Sequence, residues 1–186
     1  MTENQTIEGP DFQHATLDDE YFQCVFKHCD FSNVFFPKMI FEQCRFNACN
    51  LSLCKMSSTS WNHVLFEDCK MTGITFPGSN RFTFSVSFSQ CQLQHASIQG
   101  LNLQGTRFCN SQLAEADFSE CNLKKVDFSG SRLERTLFLH CNLEEADFCS
   151  ATGYSIHPTE NRMNKAKFAI QGLSGLLEGF GIEIVE

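Results

Sequence analysis

From Phe26 an apolar side chain recurs at every fifth position, through Phe31, Phe36, Phe41, Phe46, Leu51, Met56, Trp61, Phe66, Met71 and Phe76. After Pro77 the phase slips by two residues. The series resumes at Phe88 and continues through Leu93, Ile98, Leu103, Phe108, Leu113, Phe118, Leu123, Phe128, Leu133, Phe138, Leu143 and Phe148. Phe12, Leu17 and Phe22 extend the pattern toward the N-terminus, one residue out of phase with Phe26. A period of five suits neither ordinary element. On an α-helix five residues advance about 500°, so successive positions fall about 140° apart and make no stripe. On a flat strand an odd period sends successive positions to opposite faces. Each pentad must therefore contain a corner that returns its central residue to the inside.

The residue two before each centre shares its face in an extended segment. Nine of the eleven cysteines occupy that position: Cys24, Cys29, Cys44, Cys49, Cys54, Cys69, Cys91, Cys121 and Cys141. Others hold small or apolar residues such as Val34, Val64, Ala96, Ser111, Ala116, Val126, Thr136 and Ala146. Each pentad thus sends one large and one small side chain inward. The two positions after the centre are polar or turn-forming, as in Ser32-Asn33, Ser57-Ser58, Thr72-Gly73 and Ser129-Gly130, and supply the corner. From Leu103 to Phe148 the centres alternate strictly between Leu and Phe. An even number of pentads per coil makes each interior column all Leu or all Phe, and four is the smallest closed even polygon. A four-pentad coil also stacks Cys29, Cys49 and Cys69, Cys24 on Cys44, and Cys121 on Cys141.

Ala116-Asp117-Phe118-Ser119-Glu120, Cys121-Asn122-Leu123-Lys124-Lys125 and Ala146-Asp147-Phe148-Cys149-Ser150 resemble the pentapeptide repeat family: a small residue, Asp or Asn, Leu or Phe, then two variable positions. The resemblance covers roughly residues 12 to 150. It implies an all-β fold, a right-handed quadrilateral parallel β-helix with four pentads per coil. The first run departs from the pattern before its centres, with Phe35, Ile40, Arg45 and Lys55 where Asp or Asn is usual, so its outer surface is expected to be less regular. The chain divides into a β-helix over residues 1–153, with the phase slip at 77–87, and a C-terminal segment over 154–186. The slip is read as a bulged corner, with a presented loop as the alternative. Ile170, Leu173, Leu176, Leu177 and Phe180 follow helical spacing, Gly181 suits a helix stop, and Ile182, Ile184 and Val185 read as a short strand. This tail is expected to cover the open edge of the last coil.

Composition narrows the functional classes. The net charge of -8 disfavours direct binding to nucleic acid or an anionic membrane and suits a basic partner. Met1 to Glu20 carries six acids and no Lys or Arg, which is the wrong charge for a signal peptide, and no run reaches the roughly 18 apolar residues of a membrane span. A cytoplasmic, bacterial protein is expected. The inward cysteines read as compact apolar filler in a reducing compartment. His14, His28, His63, His95 and His140 fall two after a centre, at outward corners, so Cys and His diverge and no metal or cofactor site is expected. Cys109 and Cys149, just after centres, are the likelier reactive thiols, although ordinary corner residues is the leading reading. No catalytic motif is present, and a bore filled by side chains leaves no substrate pocket. The chain is therefore read as non-enzymatic.

Within the family, quinolone-resistance proteins of Qnr type, MfpA and microcin-immunity members end in a segment similar to Ile156-His157-Pro158-Thr159-Glu160-Asn161-Arg162 and the Leu-rich stretch after it. The resemblance implies a tail-to-tail homodimer joined through Leu173, Leu176, Leu177, Phe180 and Ile182. A cap folded on its own coil is the alternative. It also implies a DNA mimic that binds DNA gyrase or topoisomerase IV, inhibiting it or protecting it from quinolone- or microcin-like inhibitors, with a scaffold for another partner as the alternative. On that reading Asp18, Asp19, Glu20, Asp117, Asp127 and Asp147 stand in for phosphates. The rod is expected to be about 32 Å long at roughly 4.8 Å per coil. Duplex DNA of that length carries about 19 charges. Shape must then supply much of the fit.

Overall fold

The computed structural model describes residues 1–12, 17–36, 38–56, 59–76 and 84–185. Residues 77–83 of the phase slip, the corner Ser57-Ser58 and His14 lie outside them. The chain winds as a parallel β-helix in which each short strand pairs with the one a coil away. Thr2–Glu3, Glu20–Phe22, Ile40–Glu42 and Ser60–Asn62 form one sheet. Thr6–Glu8, Val25–Lys27, Arg45–Asn47, Val64–Glu67, Val86–Ser89 and Phe108–Cys109 form a second. Phe46 pairs with Phe66 and Phe88 with Phe108, a spacing of one four-pentad coil, while Phe66 pairs with Phe88 and so carries the two-residue slip.

One pentad shows why the coil holds. The Asn122 N–H bonds down to the Leu101 carbonyl (2.9 Å), the Leu123 N–H bonds up to Asn142 (2.8 Å), and the Lys125 N–H bonds up to Glu144 (2.9 Å). The Val126 N–H closes the turn on Leu123 (3.1 Å). That leaves the Lys124 N–H, which the Asn122 side-chain oxygen accepts at 3.3 Å. All five donors are satisfied, as buried backbone requires. The same bond recurs from Ser32 to Asp30, Ser119 to Asp117, Ser129 to Asp127 and Cys149 to Asp147, and it is the reason Asp or Asn precedes the centre. The corner itself is a single left-handed residue two after the centre: φ runs from 51° to 62° at His28, Asn33, Gln43, Ala48, Leu53, His63, His95, Glu115, Glu120, Lys125, Arg135, His140 and Glu145.

Inside, like side chains stack. Phe26 lies on Phe46 (4.6 Å between ring centres), Phe46 on Phe66, Phe66 on Phe88, Phe88 on Phe108, Phe108 on Phe128, Phe128 on Phe148 and Phe148 on Phe168 (5.0 Å). The small inward residues fill the corners and donate to a carbonyl of the coil below: Cys54 Sγ to Phe31 (2.8 Å), Cys121 Sγ to Ile98 (2.9 Å) and Thr136 Oγ1 to Leu113 (2.8 Å).

Both ends differ from the sequence-based expectation. Tyr21, not Phe22, faces inward, stacked on Phe41 at 5.4 Å, because the one-residue slip falls between Leu17 and Tyr21. Thr2 and Ile7 form the first rung, paired with Tyr21 and Phe26. At the other end pairing continues past residue 153, from Asn142 to Arg162 and from Asp147 to Lys167. The column through Ile7, Phe26 and onward to Phe168 is therefore about 38 Å tall, longer than the pentad count implied. The tail is not an α-helix and strand but two 3₁₀ segments, Ile170–Leu176 and Glu178–Phe180, with 182–185 irregular. Its glycines decide this. A side chain on Gly172 would strike the Tyr154 hydroxyl and one on Gly175 the Tyr154 carbonyl, so the segment lies closer to the last coil than a helix with side chains could. The Ile156 N–H bonds to the Gly175 carbonyl at 2.9 Å and ties it down.

Candidate functional site

Among the described residues the interior offers no site. Centres from Phe26 to Phe148 are buried, and the hollows found lie on the outside. One hollow, of 560 Å³, opens beside the contact of the last coil with the cap and is lined by residues including Arg135, Cys149, Thr152, Tyr154, Gln171 and Glu178. Among the described residues no group of His, Cys, Asp and Glu could hold a metal ion. Burial pushes the thiols of Cys44 and Cys141 up to about 11 and those of Cys54 and Cys121 up to about 12. Cys29 and Cys69 are raised by the Cys49 thiol between them and by burial.

Cys109 and Cys149 do not form a reactive pair. They stand on the Phe108–Phe128–Phe148 column, two coils apart. Cys109 is buried, its thiol near Asp127 Oδ2 at 3.5 Å, and burial raises its pKa. Cys149 is exposed, and the Asp147 carboxylate beside it raises its pKa.

The acids expected to imitate phosphates are distributed over the rod rather than aligned. Asp127 and Asp147 are neighbours in one column, with Arg107 a coil below them and Lys167 a coil above. Arg107 Nε lies 3.8 Å from Asp127 and Lys167 Nζ 3.3 Å from Asp147. Asp117 precedes Phe118 on the opposite side of the four-sided coil, in the column of Ser97 and Leu137. Burial of Asp117 opposes ionisation, but the Ser119 hydroxyl and N–H and the Gln99 amide outweigh it and lower the pKa. For Asp127 the Ser129 hydroxyl and N–H, Cys109 and Arg107 likewise outweigh burial; for Asp147 the Cys149 N–H leads and Lys167 assists. These carboxylates are first of all corner acceptors. Further acids pair upward or downward too: Glu115 with Arg135 and His95, Glu144 with Lys124 and Arg162, Glu145 with Lys125.

The N-terminal coil is different. Asp18, Asp19 and Glu20 are exposed at its end; Asp18 accepts from Thr2 and lies 3.9 Å from the terminal amine, while Asp19 and Glu20 have no basic partner among the described residues. Glu3 and Glu8 on the outermost strands are exposed and make no ion pair among the described residues, although Glu8 stands in register with Lys27 of the next coil. In the tail, Leu173, Phe180 and Ile182 are exposed, Leu177 is half-buried, and the half-buried Leu176 packs against the core. Phe180 leans on the His157 ring at 5.2 Å. Sequence reasoning missed Phe35 and Leu53 as solvent-facing apolar groups, although Phe35 had shown as a departure from the repeat. Among the described residues no helix is long and apolar enough to cross a membrane.

Solved structures with the same architecture include a trypsin-treated variant of QnrB1, a plasmid-mediated fluoroquinolone resistance protein, at a TM-score of 0.71 and 16% identity over 100% of this chain and 99% of that one. HetL, a pentapeptide repeat protein involved in heterocyst differentiation regulation from the cyanobacterium Nostoc sp. strain PCC 7120, aligns at a TM-score of 0.63 and 12% identity, covering 92% of this chain and 88% of that one. Such identities establish a shared fold. No curated protein sequence matches the chain. The pentapeptide repeat region as a family pattern matches residues 19–84 and 81–148, most of the β-helix, and the chain belongs to the pentapeptide repeat family.

Proposed function

We propose that the chain is a non-enzymatic binding protein that engages a type II DNA topoisomerase through the outside of its rod, inhibiting it or protecting it from quinolone- or microcin-like inhibitors. The filled core carries this reading: with aromatic stacks running from Phe26 to Phe168, only the outer surface is left to act. The QnrB1 likeness supplies the class of partner. A rod of about 38 Å matches a stretch of duplex bearing about 22 charges. The chain's net charge of -8 is far smaller; bases pair with Glu115, Asp127, Glu144, Glu145 and Asp147, and the Asp117 carboxylate is held by Ser119 and Gln99. Charge imitation therefore rests on the N-terminal coil, at Glu3, Glu8, Asp18, Asp19 and Glu20, more than on Asp117, Asp127 and Asp147. The tail surface of Leu173, Leu176, Leu177, Phe180 and Ile182 joins two copies and doubles the rod.

Purified gyrase assayed for supercoiling, with and without a quinolone, tests the reading. Inhibition or protection at micromolar protein supports it, and neither effect at that concentration leaves an interaction protein for some other partner. The exposed Phe35 and Leu53 favour that second reading specifically.

A further inference from the structure

An Asp or Asn before a centre uses its side chain to take the N–H two positions on. At Phe35 that role has no object, since the residue two on is Pro37, which has no N–H. Phe35 instead projects from the coil, 58% exposed. On the adjoining corner Leu53 is 56% exposed and holds φ of 57°, a left-handed conformation that Gly and Asn adopt at far lower cost than a branched aliphatic side chain. Neither residue serves the fold where it stands.

The two belong to one surface. Phe35 pairs directly with Lys55 in the next coil, and Lys55 with Thr75 in the coil after that. Leu53 precedes Lys55 by two and lies against Gly73, where any side chain would strike it. Asn33, Leu53, Lys55, Gly73 and Thr75 line a shallow hollow of 360 Å³. Lys38 and Lys55 are exposed, and neither has a carboxylate partner among the described residues, unlike Arg45, Arg107, Lys124, Lys125, Arg135, Arg162 and Lys167. Residues 33–36, 38–39, 53–56 and 73–76, which lie on this side of three successive coils, contain no Asp or Glu.

We propose that this face docks an acidic protein segment with apolar side chains set between its carboxylates. One large apolar side chain seats in the hollow beside Leu53, lined by Asn33, Lys55 and Thr75, and flanking carboxylates meet Lys38 and Lys55. Charge complementarity selects an acidic occupant. A nucleic acid is a poor fit, because the net charge of -8 repels a polyphosphate and the surface presents aliphatic and aromatic groups rather than a cationic track. The inference does not depend on the topoisomerase reading, since that partner is expected at the acidic N-terminal coil.

The test uses the full chain and a short fluorescein-labelled peptide of alternating acidic and Leu or Phe residues, read by anisotropy, with a control in which every acid is replaced by lysine. Phe35→Thr keeps a strand former, Leu53→Asn suits the left-handed corner and Lys55→Glu reverses the charge; a melting midpoint no lower than that of the unsubstituted chain confirms that each variant is folded. The acidic peptide is expected to bind, to weaken with salt, and to lose roughly tenfold in affinity with each substitution. Equal binding of the acidic and basic peptides, binding that survives Phe35→Thr and Lys55→Glu, or no binding up to millimolar peptide overturns the proposal. So does concentration-dependent self-association of the chain that Phe35→Thr abolishes, which would make a second copy the occupant.

Discussion

At the scale of the residue, the pentad is a complete hydrogen-bond unit, and its positions have separate jobs. The inward period was legible because burial acts on every centre; the reason for Asp or Asn became visible only with the backbone, in bonds such as Asn122 to the Lys124 N–H. Asn122→Ala should therefore cost about 1 kcal/mol of stability, measured by urea unfolding, even though the side chain lies on the outside. Leu53→Asn should act in the opposite sense, raising stability by up to about 1 kcal/mol as left-handed strain is relieved, while weakening the proposed docking. The pH dependence follows from Asp117, Asp127 and Asp147, whose folded-state pKa values lie below the ordinary 3.8. Their stabilisation is fully present above that value and is lost as pH falls through the lowered folded-state values. Unfolding followed by circular dichroism should thus stay flat from neutral pH to about 4 and steepen below it. Tyr21 and Phe22 mark a limit of sequence reading: two adjacent aromatics satisfy the pattern equally, and only the strand register chooses between them.

At the scale of the element, cysteine placement was read correctly as filler because all nine inward positions pack against the core, with the added role of a thiol donor to a carbonyl below. Ten thiols are buried and Cys149 is exposed, so a thiol reagent should modify one cysteine in the native chain and the others only on unfolding. The tail was less legible. Its apolar spacing suggested an α-helix, but Gly172 and Gly175 serve close approach to Tyr154, which no periodicity reveals. Gly175→Ala should lift the cap from the last coil, detected as faster hydrogen exchange at the Ile156 amide with the upper coils still protected. If the apolar surface beyond the cap joins two copies, Leu173→Asp with Phe180→Asp should yield a monomer in sedimentation without lowering the melting midpoint.

At the scale of the molecule, the family pattern fixes a rod with a packed interior, and function passes to its faces. Four faces with different surfaces follow from the four-pentad coil: ion-paired columns of Arg107, Asp127, Asp147 and Lys167 on one side, and Phe35 with Lys55 on the side across from it. This asymmetry was hidden in the sequence because residues a coil apart are neighbours only once the register, with its slips near the N-terminus and between Phe76 and Phe84, is known. Displacement of a labelled duplex from purified gyrase by the full chain tests the central claim most directly. The account predicts displacement at micromolar protein, weakened by salt and by joint substitution of Glu3, Glu8, Asp18, Asp19 and Glu20 with their amides. A duplex that stays bound at every protein concentration, or displacement indifferent to those five substitutions, would contradict it.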